Sequence, residues 1–313
     1  MKAVTYHQFG SVDVLNYEEV ALPALPEDGV LVSQRASSIN VVDYRARSGL
    51  LAPFVNKKFP KIPGADVAGV VTAVGNKVRG FSAGDAVLGA TDPFKGGALA
   101  ETVAVLAKNL VHLPSKISFT QAAALPIAAV AALESVRDLG GVKAGQNVLI
   151  YGASGAVGLY AVQLAKHFGA HVTAVSGAAG VEVLNKLGAD VVIDYRKGSI
   201  KFARNFDVVI DYSSQFPFNT ARAILTAAGR YVDASPNIPK FILSMIGNLF
   251  RRQKNLMLAT ATKAADLETI IDLVQKNVLT ITVAKNFPLD QAKQAFTEME
   301  RGGTVGKILV QIG

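Results

Sequence analysis

The stretch Val148–Ser176, VLIYGASGAVGLYAVQLAKHFGAHVTAVS, carries the pattern that decides the fold. Its apolar, partly β-branched opening, Val148–Ile150, reads as a buried parallel strand. The glycine-rich run Gly152-Ala153-Ser154-Gly155-Ala156-Val157-Gly158 follows at once. Beyond it Val157, Ala161, Leu164, Ala165 and Phe168 recur at helical spacing, and Gly169 is placed to end that helix. His171–Val175 then reads as a second buried strand. Such a strand–turn–helix–strand unit aims backbone N–H groups and a helix N-terminus at a diphosphate. A side chain at Gly155 would block the pyrophosphate, and one at Gly158 would hold helix and strand apart. The competing reading is a tight turn with no ligand, and the complete βαβ context weighs against it. Ser154, Gly155, Ala156, Val157 and Gly158 are therefore expected to bind a dinucleotide.

Around this unit the chain has 313 residues, enough for about two domains and a large core. Hydrophobic residues make up 50% and charged residues 18%, the balance of an ordinary globular protein. No uncharged apolar run reaches the ~18–20 residues that span a bilayer. Lys2–Tyr6 already reads as a strand, so Met1–Gly10 does not resemble a secretory or transit segment, and a cytoplasmic location is expected. With no cysteine, disulfides, thiolate metal sites and cysteine nucleophiles are excluded. The net charge of +8 favours anionic ligands without naming one. The clusters Lys57-Lys58-Phe59-Pro60-Lys61 and Arg251-Arg252-Gln253-Lys254 read first as a solvated loop and a helix end, and nucleic acid is not expected as a partner.

Residues 1–120 are rich in short strands, among them Gly29–Ala36, Asp66–Val74 and Asp85–Leu88, broken by Pro60, Pro63, Gly64, Gly75, Gly80, Gly84 and Gly89. That pattern predicts a partly open antiparallel barrel. The character changes near Thr120. Gln121–Leu139 reads as alanine-rich helix, and from Val148 strands and helices alternate: helix 157–168, strand 171–175, helix 179–187, strands Val191–Ile193 and Val208–Asp211, helix 218–227, strand Arg230–Asp233. Alternation of this kind means a doubly wound parallel sheet covered on both faces. Ala264–Lys276 reads as amphipathic helix. Strand Ile281–Ala284, helix Asp290–Arg301 and strand Lys307–Gln311 look like a return to the first domain.

Several strings stand in a particular order: Ser38-Ile39-Asn40-Val41-Val42-Asp43-Tyr44, Pro63–Gly69, Val70–Gly75, Gly84-Asp85-Ala86-Val87, Gly96–Glu101, Ala122–Pro126, the Gly152–Gly158 turn, Leu187-Gly188-Ala189-Asp190 and Gly306–Val310. With them the chain resembles the medium-chain dehydrogenase/reductase superfamily, and within it the zinc-free quinone oxidoreductase and enone reductase branch. The resemblance implies a Rossmann domain at 123–261 inserted into a GroES-like, partly open β-barrel catalytic domain at 1–122 and 262–313. Zinc members have a cysteine where Asn40 stands and a histidine where Ala65 stands, and their cysteine-rich lobe is missing here. His7, His112, His167 and His171 share no ligand spacing, so no metal site is expected.

A carboxylate at the end of the second strand would accept from the 2′-hydroxyl of NAD and repel a 2′-phosphate. This chain has Ser176-Gly177 there, and Tyr195 matches a tyrosine that touches the phosphate in NADPH-dependent relatives, so NADPH (NADP) is the expected cofactor. Relatives commonly add a Lys or Arg after the Ser-Gly pair. Here Ala178-Ala179-Gly180 is neutral, which leaves Lys186, Arg196 and Lys197 as substitutes. The resemblance also puts the nicotinamide beside residues 38–50, in a cleft between the domains. Asn40 and Tyr44 are the expected catalytic residues, since hydride transfer leaves negative charge on a carbonyl oxygen and an amide N–H or a phenol stabilises it. The bland alternatives are a turn-capping Asn and a half-buried packing Tyr. Asp66 stands where zinc enzymes pair a glutamate with a C-terminal arginine near the pyrophosphate, and Lys307 falls close to that arginine's place. Asp43 is expected to organise structure. Ala131 replaces a threonine that reaches the nicotinamide side in many relatives.

Ser235–Leu258 carries Phe241, Ile242, Leu243, Met245, Ile246, Leu249 and Phe250, ending in Arg251-Arg252. In relatives this region borders the substrate cleft or a subunit interface, compatible with a homodimer. A helix packing its apolar face on the core is the plainer reading. The expected function is NADPH-dependent reduction of a small apolar carbonyl or quinone substrate by hydride transfer, without zinc. The rival is a non-catalytic relative that keeps the cofactor fold, as crystallin-like and RNA- or membrane-associated members do.

Overall fold

A computed structural model describes residues 1–55, 57–198, 202, 205–234, 238–260 and 262–313, with the backbone alone over 238–243. The chain forms two compact units. One comprises Met1–Ile127, Ala261–Gln275 and Val283–Gly313; the other comprises Ala128–Thr260 and Lys276–Thr282.

The first unit is built on β1 (Lys2–Tyr6), β2 (Leu15–Glu19), β3 (Gly29–Ser38), β4 (Asp66–Val74), β5 (Ala86–Ala90), β6 (Thr102–Leu106) and β7 (Leu110–His112). The second contributes β8 (Asn147–Tyr151), β9 (His171–Ser176), β10 (Val191–Asp194), β11 (Phe206–Asp211), β12 (Leu225–Asp233) and β13 (Lys254–Met257), and the chain closes with β14 (Val283–Pro288) and β15 (Lys307–Gln311) in the first unit.

In the first unit β3 is the hub. It pairs antiparallel with β4 along most of its length, with β6 at Gly29–Ser33 and with β15 at Ala36–Ser38. The sheet runs β14-β15-β3-β4-β5-β7, with β6 branching from β3, and encloses a core dominated by Val30, Val32, Val67, Val71, Val87, Val103 and Val105. β-Branched side chains suit such a pleated, curled surface. A second cluster, including Val4, Tyr6, Ile39, Leu99, Phe296, Ile308 and Val310, lies under the helix Ala292–Arg301. The strand signals before Thr120 thus gave the partly open barrel expected.

The second unit has six parallel strands in the order β10-β9-β8-β11-β12-β13. Numbered within the unit this is 3-2-1-4-5-6, the doubly wound arrangement whose order reverses beside its first strand. The buried side chains of β8, Val148, Leu149 and Ile150, are wholly enclosed, as a central parallel strand requires.

Several boundaries differ from the sequence reading. The helix expected at 218–227 stops at Ala221, and β12 begins at Leu225, because Leu225 pairs with Phe206 before a register shift leads to Arg230 against Val208. Pairing overrides the helical preference of Ala227 and Ala228. Gln121–Leu139 is three pieces: Phe119–Ala122, a helix started by Pro126, and a π-helical turn Glu134–Gly140. β13 gave no sequence signal, being a four-residue edge strand that opens on Lys254 and Asn255.

Candidate active site

The glycine turn leaves β8 at Tyr151. Gly152 takes a φ of +75°, Ala153 donates to Val175 O at 3.0 Å, and Gly155 caps the helix Ala156–His167 with φ −70° and ψ 166°. A glycine cap offers no side-chain acceptor, so the first N–H groups of the helix, at Ala156 and Val157, are left for a ligand. The two glycines do different work. A Cβ at Gly155 would meet only Gly152 O at 3.4 Å, whereas a Cβ at Gly158 would lie 2.5 Å from Gly152 O and 2.7 Å from Ala153 Cα and C. Gly155 keeps an approach open, while Gly158 lets helix and turn touch. Ser154, Gly155, Ala156 and Val157 are half-buried and therefore reachable, and Gly158 is buried.

At the end of β9, Ser176 is 2% exposed and its hydroxyl donates to Gly177 O at 2.9 Å. A Cβ on Gly180 would lie 2.9 Å from both Ser154 Oγ and Ser176 Oγ, so the two hydroxyls flank one small space. Beside Gly177 stand Tyr195 Oη and Arg196 Nε, 3.5 and 3.6 Å from an ideal Cβ there. The Arg196 guanidinium lies 5.8 Å from the Tyr195 ring centroid, and Asp194 accepts from Arg196 N at 3.0 Å, fixing the turn that carries both. Of the three basic substitutes considered from sequence, Arg196 is beside Gly177, while Lys186 pairs with Glu182 at 2.6 Å. This corner presents the Ser154 hydroxyl, a phenol and a guanidinium, a donor set suited to a phosphate, with the Ser176 hydroxyl turned to Gly177 O. Together with the open approach at Gly155 it fits a dinucleotide carrying a 2′-phosphate.

The first unit contributes a buried polar cluster around Asn40, which precedes the helix Val41–Arg47. Asn40 N donates to Asp43 Oδ2 at 2.8 Å, across one turn. The Asn40 side chain bridges two buried charges: Nδ2 donates to Asp66 Oδ2 at 2.7 Å, and Oδ1 accepts from Lys307 Nζ. Lys307, 1% exposed, also donates to Ile39 O at 3.3 Å and lies 3.4 Å from Asp66 Oδ2. Asp66, with no exposed surface, accepts further from the Ser38 hydroxyl and from Ile127 N at 2.8 Å. An ammonium has no acceptor and a carboxylate no donor, so only one orientation of the Asn40 amide satisfies both. That orientation sets Nδ2 toward Asp66 and Oδ1 toward Lys307. Asn40 is thus a helix cap and an amide locked in place, and Asp66 and Lys307 form the pair implied by the resemblance.

Burial pushes the Asp43 carboxyl from its usual value up to about 7, an effect that nearby Asp66 adds to and the Asn40 N–H opposes. Asp43 also raises Tyr6, to about 12, after burial of the phenol itself. Tyr44 is half-buried, with the Arg47 guanidinium 5.8 Å from its ring centroid. Arg47 was not singled out from sequence, yet it is wholly buried, donating to Gly10 O at 2.9 Å and pairing with Glu300. Ser38, whose hydroxyl helps hold Asp66, was likewise not picked out. Ala131 is 5% exposed within Pro126–Leu133 and offers no hydroxyl.

The zinc that related enzymes hold does not fit these residues. The chain has no cysteine, and among the described residues no group of three or more His, Cys, Asp or Glu could hold a metal ion. His7 contacts Glu18 and His112 contacts Asp85, on the surface.

A doubly wound unit with an open glycine turn, joined to a partly open barrel carrying a buried polar cluster, defines a dinucleotide-binding protein of the dehydrogenase type. Residues 26–115 match the alcohol dehydrogenase GroES-like domain family, and residues 187–310 match the zinc-binding dehydrogenase family. The chain is 33% identical to a chloroplast envelope quinone oxidoreductase homolog of Arabidopsis thaliana, over 99% of this chain and 98% of that one. It is 35% identical to 2-methylene-furan-3-one reductase of Solanum lycopersicum, over 99% and 79%. The structure of Escherichia coli quinone oxidoreductase complexed with NADPH matches with a TM-score of 0.85 at 26% identity, over 99% and 100%. The chain belongs to the medium-chain dehydrogenase/reductase superfamily, with quinone oxidoreductases and enone reductases among its relatives.

Proposed function

We propose that this protein is an NADPH-dependent, zinc-independent reductase of quinones or α,β-unsaturated carbonyl compounds. The observation that carries the reading is the open glycine turn paired with a Ser-Gly end of β9 beside Tyr195 and Arg196. In it the N–H groups of Ala156 and Val157 hold the pyrophosphate, with Ser154, Gly155 and Gly158 shaping the turn. Ser176, Gly177, Tyr195 and Arg196 receive the 2′-phosphate. Bound NADPH supplies a hydride to the substrate.

The substrate's carbonyl oxygen then gains negative charge, and a donor fixed beforehand stabilises that charge more than it stabilises the neutral carbonyl. Asn40 is assigned this donor role. Its amide is held by Asp66 and Lys307, so no reorganisation is needed as charge develops. Lys307 enters as the group that completes this frame. Tyr44 or water supplies the proton. Among the described residues no helix is long and apolar enough to cross a membrane.

The test is NADPH oxidation against a panel of a benzoquinone, a naphthoquinone, an enal and an enone, repeated with NADH and with a chelator. Turnover of at least one acceptor with NADPH, weaker with NADH and indifferent to chelation, is expected. NADPH binding with no turnover would favour a non-catalytic cofactor-binding relative.

A further inference from the structure

Over Ser244–Phe250, the described side chains of the helix Ile238–Phe250, polarity is turned the wrong way for a protein surface. Ser244 is 7% exposed, and Asn248 faces the sheet, donating to Asn255 O at 2.7 Å and accepting from Asn255 N at 2.8 Å. One turn round, Met245, Ile246, Leu249 and Phe250 are 58, 54, 79 and 84% exposed. A helix on the surface of a water-exposed domain buries its apolar stripe and shows its polar one. Here four large apolar side chains at i, i+1, i+4 and i+5 form one outward face, and something apolar must cover it.

The charges around this face say what. The helix runs directly into Arg251 and Arg252, both exposed. The guanidiniums of Arg251 and Arg222 each lie 5.9 Å from the Phe218 ring centroid, and Lys254 Nζ binds the last-turn carbonyls Asn248 O and Arg251 O at 2.6 and 2.9 Å. From Ala234 to Ala265 the sequence has no Asp or Glu. A second copy docked face to face about a two-fold axis would set these arginines against their own images, with no carboxylate in the stretch to answer them. Strand addition at the edge is also hindered, because Asn248 already occupies the N–H and C=O of Asn255 in β13. A homodimer built through any other surface leaves this face open.

We infer that Met245, Ile246, Leu249 and Phe250, rimmed by Arg222, Arg251 and Arg252, dock this protein on the surface of an anionic lipid bilayer. The apolar side chains enter the headgroup–acyl boundary, and the arginines stay at the level of the lipid phosphates and carboxylates. Cation and apolar contact act together, so neither neutral vesicles nor a hydrophilic anion should substitute. The inference is independent of the reductase reading.

Vesicle co-sedimentation tests it with the full chain, using phosphatidylcholine alone and phosphatidylcholine with about 30% phosphatidylserine. Binding to the anionic vesicles and little to the neutral ones is expected. Leu249→Ser with Phe250→Ser should weaken it at least about tenfold, since two apolar anchors are lost. Arg251→Gln with Arg252→Gln should weaken it about thirtyfold, near fivefold for each charge close to the surface. All four positions are exposed, so the melting temperature should not move. Equal binding to both vesicle types, no binding, or undiminished binding by the double serine variant would overturn the inference. So would analytical ultracentrifugation showing a dimer that the double serine variant dissolves, because a second copy would then be the cover.

Discussion

The two glycines at the helix start should fail in opposite ways. At Gly155 the backbone is extended, a Cβ finds only Gly152 O at 3.4 Å, and the space beyond is the proposed path of the pyrophosphate. Gly155→Val should therefore leave the melting temperature within a degree or two while lowering NADPH affinity at least about a hundredfold, the loss of two or more charge-assisted hydrogen bonds. At Gly158 a Cβ would lie 2.5 Å from Gly152 O and 2.7 Å from Ala153 backbone atoms, none of which can rotate away. Gly158→Ala must push helix and turn apart, at about 1–3 kcal/mol, or about 2–10 °C in a protein of this size. NADPH titration by fluorescence and thermal melts on the same three proteins read both effects. A Gly155→Val protein that binds NADPH like the wild type would refute the pyrophosphate assignment. A Gly158→Ala protein as stable as the wild type would refute the packing argument.

Arg196→Gln should raise the KM for NADPH about tenfold while leaving that for NADH unchanged, since only the former loses a charge-assisted bond; equal effects on both would remove Arg196 from the phosphate corner. Asn40→Ala should lower kcat about 10²–10³-fold if the amide serves as an oxyanion donor, and should also cost about 2–4 kcal/mol because Asp66 and Lys307 each lose a buried partner. Loss of stability with wild-type kcat would confine Asn40 to its bridging role. Asp43 gives a pH signature. Its carboxyl titrates near 7 when folded and near 4 when unfolded, so between those values the unfolded chain has released a proton that the native one keeps. The wild type should therefore lose stability from about pH 4 to 7, by up to about 4 kcal/mol, and change no further from this group above 7. Asp43→Asn keeps an acceptor for Asn40 N but has nothing to titrate. Denaturant melts at pH 5 and 8 should show the variant gaining on the wild type at pH 8, and parallel curves would show that Asp43 is not held protonated.

What was legible in the sequence was what local spacing records. The Gly155 and Gly158 positions, the helix behind them and the flanking strands obey periods of a few residues, so the turn and the alternation of strands and helices could be read directly. β13 could not, because four residues at a sheet edge owe their extended form to pairing with β12 rather than to their own pattern. The helix expected at 218–227 failed for a related reason: Leu225 meets Phe206 across the sheet, a contact that no local propensity reports. Ser235–Asn237 and the side chains of Phe241, Ile242 and Leu243 lie outside the described residues.

The candidate site divides along the same line. Asn40 looked equally like a turn cap and a substrate-side donor, because both readings depend only on its neighbours at 38–44. Its decisive partners, Asp66 and Lys307, stand 26 and 267 residues away, and only the closing of β15 onto β3 brings the last of them in. A cap would be satisfied by any short polar side chain, whereas a bridge between an ammonium and a carboxylate needs an amide with one end of each kind. The helix Ile238–Phe250 shows the complementary limit. Periodicity announced an apolar stripe but not which way it faces, and it was the polar pair Ser244 and Asn248 that took the inner side. Sequence amphipathicity fixes that a helix has two faces. Which one meets water follows only when the partners of the polar face are known.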